Sequence, residues 1–156
     1  RAERNVIIYR EKSQPESKQH HQIDVWWGGL HANGALMMIL AELLRDSMEW
    51  RSAQIYLKLV VPDQSAAATA KQNINVLVQT LRIDAEICIL VAEGRSFDEI
   101  LSESSRNADQ VILGIAEPNE NFYDYYASIE ERIHDLPSTM LVLAAPSFAF
   151  AEVLKK

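Results

Sequence analysis

Residues 23–44 run from an apolar pentad, Ile23-Asp24-Val25-Trp26-Trp27, through a glycine turn into an apolar helix. That succession leaves few folds open. As a strand, the pentad points Ile23, Val25 and Trp27 one way and Asp24 and Trp26 the other. Apolar bulk on both sides marks a central strand covered by helices on each face. Gly28, Gly29 and Gly34 supply backbone freedom for the turn. Asn33 stands where an N-cap is expected for a helix starting near Gly34. From Ala35 to Ala41 every residue is apolar, which predicts a helix buried on most sides.

The remaining chain repeats this alternation. Asn5-Val6-Ile7-Ile8-Tyr9-Arg10 is rich in strand formers. Residues 11–22 are polar, contain Pro15 and read as a linker or loop. Residues 1–10 therefore form either a strand shared with a preceding domain or an edge of this sheet, and residues 23–156 form one α/β domain. Residues 53–61 read as a strand stopped by Pro62, and Asp63 or Ser65 can cap the helix that follows. That helix carries Ala66, Ala70, Ile74, Leu77, Val78 and Leu81 on one face. Another strand spans 84–91. Ser96-Phe97-Asp98-Glu99 then has the form of a capping box, opening a short helix expected to bury Phe97, Ile100 and Leu101. A strand over 110–115 precedes a helix started by Asn119 or Asn121, with Phe122, Tyr125, Tyr126, Ile129 and Ile133 on one side. Pro137 ends it, residues 139–144 form the last strand, and 147–156 read as a short apolar helix.

Strand and helix in alternation require a mainly parallel sheet with right-handed crossovers. The predicted fold is a three-layer, doubly wound α/β domain with helices on both faces. With 23–27 central, the expected order is 84–91, 54–61, 23–27, 110–115, 139–144. Ligands of such sheets bind beyond the strand C-termini where the order reverses. Gly28, Gly29, His31, Asn33, Gly34 and Asn119 are the candidate lining of that crevice.

Composition narrows the function. A net charge of −7 argues against a nucleic-acid partner and against general binding to anionic lipid headgroups. The single cysteine, Cys88, lies between two isoleucines and reads as a buried hydrophobe, with neither disulfide nor zinc spacing available. The longest apolar run falls well short of the roughly 20 residues that span a bilayer. No signal peptide is recognisable, and the absence of an initiator methionine points to a fragment of something longer.

Catalytic and cofactor chemistry finds little support. Gly29 and Gly34 match the first half of a P-loop, but Ala35-Leu36 stands where a lysine and a hydroxyl residue are needed. His20 and His21 are adjacent in a polar stretch and read as solvated. His31 reads as a loop hydrogen-bonder, and His134 suits a helix C-terminus. No serine or cysteine has an assigned base, and Glu93 and Glu117 show no partner in the sequence. Asp24, the odd charge in a core strand, is expected to accept backbone or indole hydrogen bonds. No metal site and no cofactor is predicted. The tyrosines Tyr123, Tyr125 and Tyr126 exceed what one core face holds, so part of that helix is a candidate contact surface.

The order Ile23-Asp24-Val25-Trp26-Trp27, glycine turn, apolar helix ending in Leu43-Leu44, then Glu49-Trp50-Arg51 before a strand, resembles the C-terminal cytoplasmic domain of cation–chloride cotransporters. These are membrane carriers of the amino acid permease superfamily. Leu81-Arg82-Ile83-Asp84-Ala85-Glu86 and the strand–helix–strand over 109–143 extend the resemblance over most of the chain from Gln22. The family has Asp-Gly-Gly before the helix, where this chain has Gly28-Gly29-Leu30-His31-Ala32-Asn33-Gly34. The resemblance implies a non-enzymatic regulatory and dimerisation domain on the cytoplasmic face of a membrane. Its partners would be a second copy, the membrane domain of the same polypeptide and regulatory proteins. An uncovered edge at the last strand, with Thr139 and Leu141, beside the apolar tail with Phe148, Phe150 and Leu154, is the expected dimer surface. The element order is also similar to universal stress proteins, some of which bind ATP, so a nucleotide-sensing domain is the alternative. There the glycine-rich phosphate segment would correspond to Gly114-Ile115-Ala116-Glu117-Pro118-Asn119, which has one glycine and a repelling acid. An enzyme completed by another domain ranks third.

Overall fold

A computed structural model describes residues 4–12, 20–28, 31–117 and 120–145; the side chains of His31, Ala32 and Phe122 also fall outside the description. The elements are β1 (Val6–Arg10), β2 (Gln22–Trp26), α1 (His31–Arg45), β3 (Gln54–Val61), α2 (Gln64–Leu81), β4 (Ala85–Val91), α3 (Phe97–Ser104), β5 (Gln110–Gly114), α4 (Phe122–Ile133) and β6 (Thr139–Leu143). A short 3-10 turn, Met48–Trp50, links α1 to β3.

All six strands join one sheet in the order β1-β6-β5-β2-β3-β4. β2 pairs in parallel with β3 and β5, as do β3 with β4 and β5 with β6, so five strands follow the expected order. β1 adds what the sequence left open. It lies antiparallel beside β6, with Ile8 opposite Leu141 and Arg10 opposite Thr139. β6 is therefore not the edge of the sheet, and the expected uncovered edge at Thr139 and Leu141 is closed by β1. Both residues are buried. The guanidinium of Arg10 fastens β1 by donating to the carbonyls of Ile133 and, at 3.2 Å, His134 beyond the end of α4. Ser138 Oγ accepts the Lys12 amide at 2.9 Å at the same end.

The helices divide the core in two. Ile23, Val25, Ile55, Leu57 and Ile112 pack beneath α1 and α2, against Met37, Met38, Ala41, Ile74 and Leu81. Trp26, Val111, Leu113 and Leu141 pack beneath α3 and α4, against Ile100, Leu101, Ile129, Ile133 and Leu136. Odd and even positions of β2 thus serve opposite layers, as the period of a strand requires. Most local signals hold. Asp63 caps α2, its carboxylate accepting from the Ala66 amide at 2.9 Å. Ser96 and Glu99 form the reciprocal capping box of α3. Phe97 differs from expectation. As the first residue of α3 it is 39% exposed, and it meets the edge of Trp26 at 5.7 Å between centroids instead of entering the core. His20 also differs: its ring stacks on Trp50 at 4.0 Å rather than standing in solvent. Among the described residues no helix is long and apolar enough to cross a membrane.

Candidate functional site

The crevice beyond β2 and β5 is built by the turn after Trp27 and the loop after Gly114. On the α1 side the protein fills it with its own atoms. Asn33 does not cap α1 but lies in its first turn, because the helix begins at His31. Its buried amide spans the two strand ends, donating to Ile115 O at 3.0 Å and accepting from the Ala144 amide at 2.7 Å. Gly114 permits this approach, since a Cβ there would lie 3.3 Å from Asn33 Nδ2. Gly34 has a different reason to be glycine. A Cβ on it would fall 2.0 Å from Cζ3 of Trp27, so the indole lies directly over the helix backbone.

Tyr125 closes the loop after β5. Its hydroxyl accepts from the Ala116 amide at 2.8 Å and donates to the Ala116 carbonyl at 3.0 Å. A phosphate at this switch point would need free amides, and those of Ala116 and Ala144 are taken by side chains. Among the described residues, Trp26, Trp27, Leu113, Ile115 and Ile129 enclose a cavity of about 50 Å³. Ligand pockets occupy roughly 300–1,000 Å³. A broader cleft of about 880 Å³ opens between α3 and α4. Its walls alternate in sign, and Arg95 pairs with Glu103 while Arg132 pairs with Asp98 at 2.7 Å. Of the candidate crevice residues, Gly28 is exposed at the mouth, Gly34 and Asn33 are structural, and the position of His31 in α1 is described without its side chain. Gly29 and Asn119 lie outside the described residues, as do Phe148, Phe150 and Leu154.

The strongest electrostatic feature sits one layer away, beneath α3. Asp24 is fully buried, yet its carboxylate has three donors. Lys58 Nζ lies 2.9 Å and Ser105 Oγ 2.7 Å from Oδ2, and Gln22 Nε2 lies 2.9 Å from Oδ1. Trp26 does not reach the carboxylate as the sequence led one to expect. Its indole donates to Ser105 Oγ at 2.9 Å, and the serine relays the bond to Asp24. Lys58 also donates to the carbonyl and hydroxyl of Ser104, both at 2.8 Å, and stands 5.7 Å from the Trp26 ring centroid. A serine, lysine and carboxylate so close could serve proton transfer in an open site. Here Asp24 and Ser105 have no exposed surface, so the arrangement joins β2, β3 and α3 rather than facing a substrate. The sequence reading missed Lys58, although a lone lysine inside the apolar run of β3 was the available signal. Ser104 and Ser105 gave none.

Among the described residues no cluster of histidine, cysteine and carboxylate could hold a metal ion. Cys88 is half-buried in β4, and desolvation pushes its thiol above the usual range despite the nearby Lys58 charge. It is a poor nucleophile. No protein-family model matches the chain, and no curated protein matches it.

Proposed function

We propose that this chain is a non-enzymatic regulatory and assembly domain of a cation–chloride-cotransporter-like membrane carrier, acting through protein contacts on the cytoplasmic side. The observation that carries the proposal is how the Ile23-Asp24-Val25-Trp26-Trp27 and glycine-turn sequence is used. Asp24 and Trp26 lock β2 to α3, and Trp27 and Gly34 lock the turn to α1. The motif behind the family resemblance is thus spent on holding the domain rigid, and the crevice it borders is filled by Asn33 and Tyr125. Exposed large apolar side chains stand singly at Leu43, Met48, Val76 and Phe97 and in groups on β1 and α4, where another protein can reach them.

Two measurements test this reading. The gene upstream of the Arg1 codon should encode a multispan hydrophobic segment in the same frame; a gene with no such segment removes the transporter assignment. Titration calorimetry with ATP, ADP and cyclic nucleotides should give no saturable heat. A saturable signal weakened by Asn33→Ala would establish the nucleotide-sensing alternative instead.

A further inference from the structure

The α1 side of the sheet is covered unevenly. There α1 packs on β2, β5 and β6, and α2 packs on β3 and β4. β1, at the edge next to β6, lies beyond the strands these helices cover. Ile7 and Tyr9 stand opposite Val142 and Met140, and direct partners in an antiparallel pair share a face. Val142 belongs to the α1 layer and is fully buried. Met140 is only half-buried, and Ile7 and Tyr9 are 45% and 54% exposed. A doubly wound sheet carries helices over both faces, and this apolar strip is a place for one more.

The chain leaves β6 at that strip. Ala144 packs in the α1 layer, and its amide donates at 2.7 Å to Asn33 in the first turn of α1. The next amide, of Ala145, donates at 2.7 Å to Asn5 Oδ1, just before β1. Residues 146–156, which lie outside the described residues, therefore set out between the beginnings of α1 and β1. Their sequence has the spacing of an amphipathic helix. Ser147 stands where an N-cap is expected, and Phe150, Val153 and Leu154 follow at i, i+3 and i+4. Glu152, Lys155 and Lys156 fall on the other side.

We infer that residues 147–156 fold back as a helix beside α1, over the α1-side face of β6 and β1, with Phe150, Val153 and Leu154 against Ile7, Tyr9 and Met140. The lengths agree. A helix over 147–156 covers about 15 Å, and a strand of the length of β6 about 17 Å. Phe150 and Leu154 are then about 6 Å apart along the helix, close to the roughly 7 Å between Ile7 and Tyr9 along the strand. In this arrangement the tail completes the fold of its own chain rather than offering Phe150 and Leu154 to a second copy. The apolar surface of β1 left to a partner is then its α4 side, with Ile8 and the neighbouring Tyr126. The inference rests on the fold and is independent of the transporter assignment.

Cysteine pairs in a Cys88→Ser background test it, with the full chain under mild oxidation. Tyr9→Cys combined with Leu154→Cys should close a disulfide within one chain, read as a faster band on a non-reducing gel. Ile8→Cys combined with Leu154→Cys, aimed at the opposite face, should not. A disulfide from the Ile8 pair alone puts the tail on the α4 side and overturns the inference. Equal yields from the two pairs, disulfides only between chains, or none from either overturn it as well. Should the cysteine variants misfold, methionine oxidation by hydrogen peroxide decides, comparing Leu154→Asp with the parent chain. Loosening the tail should speed sulfoxide formation at Met140 several-fold, while the exposed Met48 and the fully buried Met38 keep their rates. An equal rate at Met140 in both chains overturns the inference.

Discussion

Strand β2 sits between two environments built from different chemistry. On the α1 side, Ile23 and Val25 pack against Met37, Met38 and Ala41, and the layer is apolar. On the α3 side, Asp24 and Trp26 enter a buried network with Lys58, Ser104 and Ser105. Apolar packing is tolerant, because hydrophobic side chains of suitable size can replace one another. A buried ion pair is not. Its attraction roughly offsets the cost of taking both charges from water, but either charge alone is expensive. The two faces should therefore contribute differently: bulk stability from the α1 face, and a fixed register of β2, β3 and α3 from the other.

The largest expected effect breaks the polar face. Lys58→Met keeps the length of the side chain but strands Asp24, and should cost about 3–5 kcal/mol by urea denaturation. Adding Asp24→Leu to it should recover most of that loss, with a double-mutant cycle reporting strong coupling. A cost of Lys58→Met below about 1 kcal/mol would mean that the pair is not buried as described.

A smaller effect is expected on the apolar face. Gly34→Ala forces a methyl against the Trp27 ring and should cost about 1–3 kcal/mol, as overpacking does. Shortening the ring with Trp27→Leu should make the alanine tolerable. An alanine variant as stable as the parent would show that the indole can swing away from α1.

The smallest effect concerns the helix that covers this apolar layer. The Ser65 hydroxyl and the Ala66 amide, both donating to Asp63, hold its carboxyl below the ordinary value. A depressed carboxyl stabilises the fold above its unfolded pKa, and that contribution disappears as pH falls through the folded value. Asp63→Asn keeps a good cap near neutral pH. It should make the acid limb of the stability–pH curve shallower. An unchanged limb would assign the acid sensitivity to other groups.

Much of this architecture was legible because it is written in short-range patterns. The alternation of Ile23, Val25 and Trp27, the Ser96–Glu99 box and the Asp63 cap are each set by residues within a few positions of one another. Five strands followed in order from the rule that β-α-β crossovers are right-handed. The failures share a different cause. Lys58 gains its meaning from Asp24 on the neighbouring strand and Ser104 on a helix 46 positions away. Asn33 looked like a cap because residues of its type often are, yet its partners are Ile115 and Ala144, far along the chain. Phe97 satisfies the helical period but opens its helix, where the first residue projects past the core. The sequence directs attention to the space beyond the strand ends, but the way Asn33 and Tyr125 enter it depends on packing that no local pattern encodes.

The placement of β1 beside β6 has a consequence for how the chain is made. The Ala145 amide that closes onto Asn5 belongs to a residue 140 positions later. A ribosome adds about 5–20 residues per second, so β1 emerges roughly 7–28 s before that end of its partner exists. During that interval Val6, Ile7, Ile8 and Tyr9 lack the β6 strand they pair with, while β2, β3 and β4 can already begin to assemble. Closing so long a loop is also the slow kind of contact in folding. Translated before the other described strands of its sheet, β1 is thus among the last of them to dock, and this period of waiting leaves its apolar side chains open to capture by a chaperone or by another unfinished copy.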